Sequence, residues 1–374
     1  MDGAKLDEIR ILGYRCFGDF RAQLGSLEVI VGANGSGKTS LFEFLRFLRD
    51  SVNAEVPPEI VPGSVGREIF HRPGPDEIVW KLTISPKRRS EQAQYRGGIN
   101  GPLGRVAIFK EQLSVGPGPT YSVVFDRSVG SPAMKRFVGL SPTRFALGWH
   151  VNEPPAVLVL VFLNHMRFYD SYGIASAKVR RPAVIEQTPQ LKEDCSNLSA
   201  VLFYLQTEHR DIFEGITRTL GLVIPGFGRL NVQARGGPGE VLAFAKIGDA
   251  DLTVADLSDG QLRLLCWTTL CHLPDPGSLI CIDEPDVGLH PRVLPLLAGM
   301  FKRASEQTQI LLATHNSFFL RQFGLEDIAV MRLEGGQPKF IKPGDSAVLR
   351  ASLEDFGNDE IERLHQTEEL EQLP

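Results

Sequence analysis

Leu27-Glu-Val-Ile-Val-Gly32-Ala-Asn34-Gly35-Ser36-Gly37-Lys38-Thr39-Ser40-Leu41 is the stretch on which the fold of this 374-residue chain turns. Its apolar, β-branched start predicts a strand that runs straight into Gly32. Leu41, Leu45 and Leu48 then recur at helical spacing, so a helix starts where the loop ends. Between them, Gly32 to Thr39 fits G-x-x-x-x-G-K-[ST]. The glycines let successive backbone N–H groups turn inward around a β-phosphate. Lys38 brings positive charge to the β- and γ-phosphates, and the Thr39 hydroxyl can ligate Mg²⁺. The helix adds its positive end. Gly32, Asn34, Gly35, Ser36, Gly37, Lys38, Thr39 and Ser40 are therefore expected to bind ATP with Mg²⁺. Alone, the loop fits a kinase, a GTPase or a motor equally well.

Three later segments narrow the choice. Leu279-Ile-Cys-Ile-Asp283-Glu284-Pro285 reads as a buried strand ending in two carboxylates. Asp283 suits holding Mg²⁺ through water, and Glu284 suits polarising an attacking water. Leu257-Ser258-Asp259-Gly260-Gln261 opens a helix that runs on to His272, and a serine and a glycine there make a second anion site. By itself that segment is an ordinary helix cap. Gln309-Ile-Leu-Leu-Ala-Thr314-His315-Asn316 delivers a histidine to the end of another buried strand. By itself His315 is a strand-end residue with no ligand.

Taken together and in this order, the four elements resemble the ABC-type ATPase superfamily. Ser258 sits where its signature serine stands, with Asp259 where glycine is commoner, and His315 resembles its switch histidine. Glu284-Pro-Asp-Val-Gly288-Leu-His290-Pro291, the opening Ile9-Arg-Ile-Leu-Gly-Tyr-Arg15-Cys-Phe17 and Leu191-Lys-Glu-Asp194-Cys-Ser-Asn197-Leu198 resemble the RecF/OLD/SMC-like branch of AAA-type ATPases. The resemblance implies an α/β fold. It would be a P-loop ATPase head, with a mixed or parallel sheet flanked by helices, an antiparallel β subdomain and a mainly helical insertion. It also implies catalytic roles for Lys38, Glu284 and His315, and metal binding by Thr39 and Asp283. The nucleotide would lie between two heads, so that Ser258 and Gly260 of one subunit reach the γ-phosphate held by Lys38 of the other. An ATP-dependent homodimer follows, with DNA or a separately encoded effector such as a nuclease as client. Arg15 to Phe17 either flank the adenine or ribose or pack as a strand. Gln94 and Gln112 are both candidates for the glutamine that couples Mg²⁺ to the insertion.

Spacing separates relatives. The 220 residues from Lys38 to Ser258 hold scattered Pro and Gly and no sustained heptad, which argues against a long coiled-coil arm. The 59 residues after His315 are short for a fused Toprim nuclease. The separation is long for the nucleotide-binding subunit of a transporter, which is the alternative reading. A non-hydrolysing ATP switch is another.

The expected division is 1–126 for the first part of the head, with its loop and antiparallel region, and 127–225 for the insertion. Residues 226–345 would form the second part and 346–374 the tail. Within the first part, strands are expected at Ile78 to Ile84, Arg105 to Phe109 and Tyr121 to Phe125. From 250 onward helices and buried strands alternate, as in a parallel sheet. The net charge of −5 excludes a basic nucleic-acid coat, so DNA contact needs a local patch. Lys87-Arg88-Arg89 with Arg96, and Lys178 with Arg180-Arg181, are candidates, each also readable as a solvated loop. Five cysteines without a C-x-x-C pair argue for a reducing cytosol and against a zinc site. With no apolar run of membrane-spanning length, a cytoplasmic protein without membrane contact is expected.

Overall fold

A computed structural model describes residues 3–56, 69–87, 91–101, 106–117, 120–137, 139–149, 152–174, 177–345, 359–367 and 369. Arg88, Arg89 and most of the acidic tail from Glu368 lie outside them. Along the chain, β1 (Ala4–Tyr14), β2 (Phe17–Gln23) and β3 (Leu27–Val31) lead into α1 (Lys38–Ser51). Then come β4 (Glu77–Pro86), β5 (Gln92–Asn100), β6 (Ala107–Gly116), β7 (Ser122–Asp126) and α2 (Pro154–Asn164). β8 (Met166–Asp170), the short α3 (Ser171–Ile174), β9 (Ala183–Val184), α4 (Leu198–Glu208) and α5 (Arg210–Gly221) follow. β10 (Phe227–Ala234), β11 (Glu240–Ile247), β12 (Ala250–Thr253) and α6 (Asp259–His272) precede β13 (Leu279–Asp283), α7 (Leu294–Ser305), β14 (Gln309–Ala313) and α8 (Ser317–Leu320). β15 (Ile328–Glu334) and β16 (Gln337–Ile341) follow, and a last helix spans Asp359–Gln366.

The chain divides into two compact units, residues 1–166 with 325–374 and residues 167–324. In the first, an antiparallel sheet runs β2-β1-β4-β5-β6-β7, and β3 lies parallel to β15, which pairs with β16. All five residues of β3 are buried, as a strand covered on both faces requires. One is Glu28, whose carboxylate is paired with Lys342 and accepts the Gly25 N–H. The amphipathic α1 buries Leu41, Phe44, Leu45 and Leu48. Phe44 and Phe47 meet the Trp80 ring of β4 edge-on at 5.9 and 6.2 Å. Burying several large aromatics contributes roughly 1.5–3 kcal/mol each and fixes the helix that carries the loop.

In the second unit, β13 and β14 are parallel, with Asp283 opposite Ala313, and β8 flanks β13. A small sheet, β10-β11-β12 with β9, lies beside α4. The parallel pairs confirm the alternation expected after residue 250. In the first unit's antiparallel region β6 runs to Gly116, well past the expected end at Phe109, and β5 is not among the expected strands. β5 is too rich in Gln and Gly to read as a strand, yet its glycines are what let it lie there. An ideal Cβ on Gly97 would fall 2.1 Å from the Trp80 ring.

Candidate nucleotide site and its strand-end carboxylates

The loop after β3 is built around glycines that no other residue can replace. Gly32 has φ 149°, and a Cβ there would lie 2.0 Å from the Met331 carbonyl oxygen. Gly37 caps α1 at φ 106°, where a Cβ would meet the Phe17 ring at 2.8 Å. The loop therefore wraps closely against β15 and the turn before β2, with its amides directed by geometry rather than by side chains. Lys38 is buried, and its Nζ donates to the carbonyls of Gly32 at 2.5 Å and Ala33 at 3.3 Å. The Ser36 hydroxyl is buried and has no hydrogen-bond partner among the described residues. Asn34, Gly35 and Thr39 are exposed. A held ammonium, an unsatisfied hydroxyl, a glycine cradle and the N-terminus of a 14-residue helix fit a polyphosphate.

Nearby, Phe17 is fully buried and stacks on Phe20 at 4.3 Å. Of the two readings of Arg15 to Phe17, strand packing therefore holds for Phe17. Arg15 takes φ 48°, its guanidinium pairs with Glu43 of α1, and its carbonyl bonds His71 Nδ1 at 2.8 Å.

In the second unit, the parallel register of β13 and β14 brings the residues after both strands to one edge. Glu284 donates its N–H to the Ala313 carbonyl at 2.8 Å, and its Oε1 lies 3.6 Å from His315 Nε2. Glu284 adopts φ 52°, a left-handed conformation that costs a non-glycine residue roughly 1–2 kcal/mol. Two donors hold its carbonyl there, the Val287 N–H at 3.2 Å and the Ser171 hydroxyl. Behind it, Thr314 Oγ1 donates to the buried Asp286 at 2.7 Å and accepts the Asn316 N–H at 3.0 Å, which fixes the backbone on both sides of His315. Asn316 then caps α8.

Ser258 is the N-cap of α6 in a capping box. Its Oγ accepts the Gln261 N–H at 3.3 Å, and Gln261 Oε1 accepts the Ser258 N–H at 3.0 Å. A Cβ on Gly260 would come within 2.8 Å of the Gly288 carbonyl oxygen, so α6 begins in close contact with the loop that follows Glu284.

A family profile described as "AAA ATPase domain" matches residues 5–80, and one described as "AAA domain, putative AbiEii toxin, Type IV TA system" matches residues 207–321. An Smc head bound to the C-winged helix domain of ScpA superposes with TM-score 0.55 at 13% identity, covering 90% of this chain and 97% of that one. An Smc head with an extended coiled coil, bound to the C-terminal domain of ScpA and derived from Pyrococcus furiosus, gives 0.51 at 12% identity over 94% and 100%. The fold is that of the Smc head domains on which the chain superposes, and two stretches of its sequence resemble AAA ATPase domains. No curated protein matches the sequence.

Several residues that shape this head carry no sequence signal. Ser171 opens the short α3, and Arg263 is a single basic residue inside α6. Arg263 Nε donates to the Ser171 carbonyl at 2.9 Å, so α6, which Ser258 caps, is tied to the residue that holds Glu284. Arg180 is neither part of a free nucleic-acid patch nor a solvated loop residue. Its guanidinium donates to the carbonyls of Ala255 at 2.8 Å and Leu257 at 2.7 Å, and to Asp259 Oδ1 at 2.5 Å. Asp259 thereby gains a charge-assisted partner that secures the loop leading into α6. Lys178 of the same cluster pairs with Asp194 at 3.5 Å. Gln94 and Gln112 both lie in the antiparallel sheet, where Gln94 accepts from Arg96 at 3.0 Å and Gln112 donates to Asp126 at 3.2 Å. Among the described residues no group of three or more His, Cys, Asp and Glu can hold a metal by itself, and no helix is long and apolar enough to cross a membrane. Mg²⁺ usually takes one or two protein oxygens plus substrate phosphates, and the Thr39 hydroxyl and the Asp283 carboxylate are each donors of that kind.

Proposed function

We propose that this head binds and hydrolyses ATP with Mg²⁺, and that nucleotide closes two copies into a dimer acting on DNA or on a partner protein. The observation that carries the reading is Glu284, held in a left-handed conformation beside His315 directly after Asp283. A carboxylate fixed by its backbone next to a histidine suits orienting a water, which is most of what protein groups contribute to phosphoryl transfer. Lys38 and the loop amides bind the phosphates, and Thr39 and Asp283 hold the metal. The metal, when bound, offsets phosphate charge. His315 senses the γ-phosphate and steadies the water. Ser258 and Gly260 serve the nucleotide of the opposite copy, which gives an exposed capping serine its task.

The Smc heads bearing ScpA domains support a separately encoded protein client, and the toxin–antitoxin wording of one matched profile supports a defence setting for it. The test is Glu284→Gln with ATP and Mg²⁺. Phosphate release should fall at least a hundredfold, and light scattering should show a dimer that wild type forms only transiently. Full turnover in that variant, or a monomer at saturating ATP, refutes the reading.

A further inference from the structure

The outer face of the antiparallel sheet carries a charge pattern that folding alone does not favour. Strand pairing sets Arg21 of β2 opposite Arg10 of β1, Arg10 opposite Lys81 of β4, and Lys81 opposite Arg96 of β5. Four cations therefore stand in one row across four neighbouring strands, over about 14 Å at a strand spacing of ~4.8 Å. Like charges directly opposite one another destabilise a sheet. Lys110 of β6, opposite Gly98, joins them one register step away. Together the five line a groove of about 310 Å³ whose apolar floor includes Leu12 and Val79.

Neutralisation is partial. Asp19 takes Arg10 in a two-pronged pair, and Glu8 lies 2.8 Å from Lys81 and 3.5 Å from Arg21. Arg96 and Lys110 have no carboxylate partner among the described residues. The row ends in Gln112, bonded to Asp126. Arg21 is 60% exposed. In a chain of net charge −5, five cations around one groove form a local positive field that an anionic polymer would relieve.

We infer that this groove is a docking surface for the phosphate backbone of duplex DNA. Duplex rather than single strand follows from the face itself. Single-strand binders stack bases on several aromatic rings, and among the described residues this face offers Phe109 alone, lying over Gly98. The cations stand on a sheet face rather than on an element that enters a base-bearing groove, so recognition is of backbone and independent of sequence. The inference rests on the proposed DNA-directed function, and names the surface that would serve it.

The test is fluorescence anisotropy of a 30-base-pair duplex with the full chain, without nucleotide, from about 50 to 200 mM salt. Three to five phosphate contacts predict a loss of about 40- to 500-fold in affinity over that range, from a slope of roughly −0.9 per contact. Arg21→Gln, Arg96→Gln and Lys110→Gln combined should flatten the log–log slope by about 2.7. Their melting temperature should not fall, because repulsion is removed, and their ATPase rate without DNA should match wild type. A triple variant with wild-type affinity and slope overturns the inference, as does wild type that ignores duplex at low salt or prefers single strand. Wild type that hydrolyses ATP but does not bind duplex sinks this inference alone. Groove-dependent binding without hydrolysis sinks only the catalytic reading.

Discussion

Removing one hydroxyl, Ser171→Ala, tests whether the backbone of Glu284 is what tunes turnover. Ser171 is fully buried, and its hydroxyl donates to the carbonyl of a residue held at φ 52°. That conformation costs Glu284 roughly 1–2 kcal/mol, so it persists only while its surroundings impose it. The Val287 N–H still reaches the same carbonyl at 3.2 Å in the variant, so the oxygen is not left bare. The loss is then that of one ordinary hydrogen bond, about 1 kcal/mol. If that bond biases Glu284 between its held and relaxed backbone states, the held-to-relaxed ratio drops about fivefold, which sets the upper limit of the loss in turnover. The assay is steady-state phosphate release, read as kcat and KM separately, beside a fluorescent-nucleotide titration. We expect kcat to fall measurably, by up to about fivefold, with KM and nucleotide affinity unchanged, because the hydrogen bonds of Ser171 run to the Glu284 backbone and to Arg263. Arg263→Gln should act through the same link, since Arg263 donates to the Ser171 carbonyl. The double variant should then lose less than the product of the single effects. A folded Ser171→Ala protein with wild-type kcat would refute the idea that this bond positions Glu284. So would one whose only defect is a raised KM.

Ser36→Ala should move apo stability and ligand affinity in opposite directions. It deletes a buried hydroxyl without a hydrogen-bond partner, so apo thermal stability should hold or rise by up to ~1 kcal/mol, while ATP binding weakens severalfold by calorimetry. Arg180→Ala frees Asp259 and three signature-loop carbonyls, so ATP binding to the monomer should persist while ATP-driven dimerisation in light scattering weakens about tenfold or more. Glu111 is enclosed by the N–H groups of Ala146 and Leu147, the Tyr95 hydroxyl and Arg127 at 3.9 Å, yet burial pushes its carboxyl up to about 7. Its folded value lies above its unfolded one. Its contribution is therefore fully present below about pH 4.5 and is lost as pH rises towards 7, at up to roughly 1.4 kcal/mol per pH unit. Denaturant midpoints of wild type should fall more steeply over that window than those of Glu111→Gln. The variant itself should be less stable at pH 5 by about 1–3 kcal/mol, since its amide sets a donor against a backbone donor.

Local chemistry made much of this protein legible in one dimension. Leu27 to Thr39 names its own strand, loop and helix, because a β-branched run, forced glycines and helical leucine spacing all act over neighbouring residues. The runs at Leu279 and Gln309 likewise mark buried strands ending in Glu284 and His315. β5 was not legible. Its Gln and Gly content reads as loop until Trp80 of another strand is seen lying against Gly97. The role of Arg180 was hidden for the same kind of reason. A lone arginine in a basic cluster looks solvated, and its carbonyl partners lie more than seventy residues away in sequence.

By itself, then, the sequence determined the phosphate loop, the strand-end acids and the capping serine, since each is written in contiguous residues whose backbone preferences and chemistry are local. Tertiary structure alone decided the register. It set Glu284 3.6 Å from His315, placed Ser171 and Arg263 behind Glu284, and aligned Arg21, Arg10, Lys81 and Arg96 in one row. Such juxtapositions depend on which strands pair and by how many residues they are offset. That is set by burial of whole faces across the fold, and no short stretch of sequence contains it.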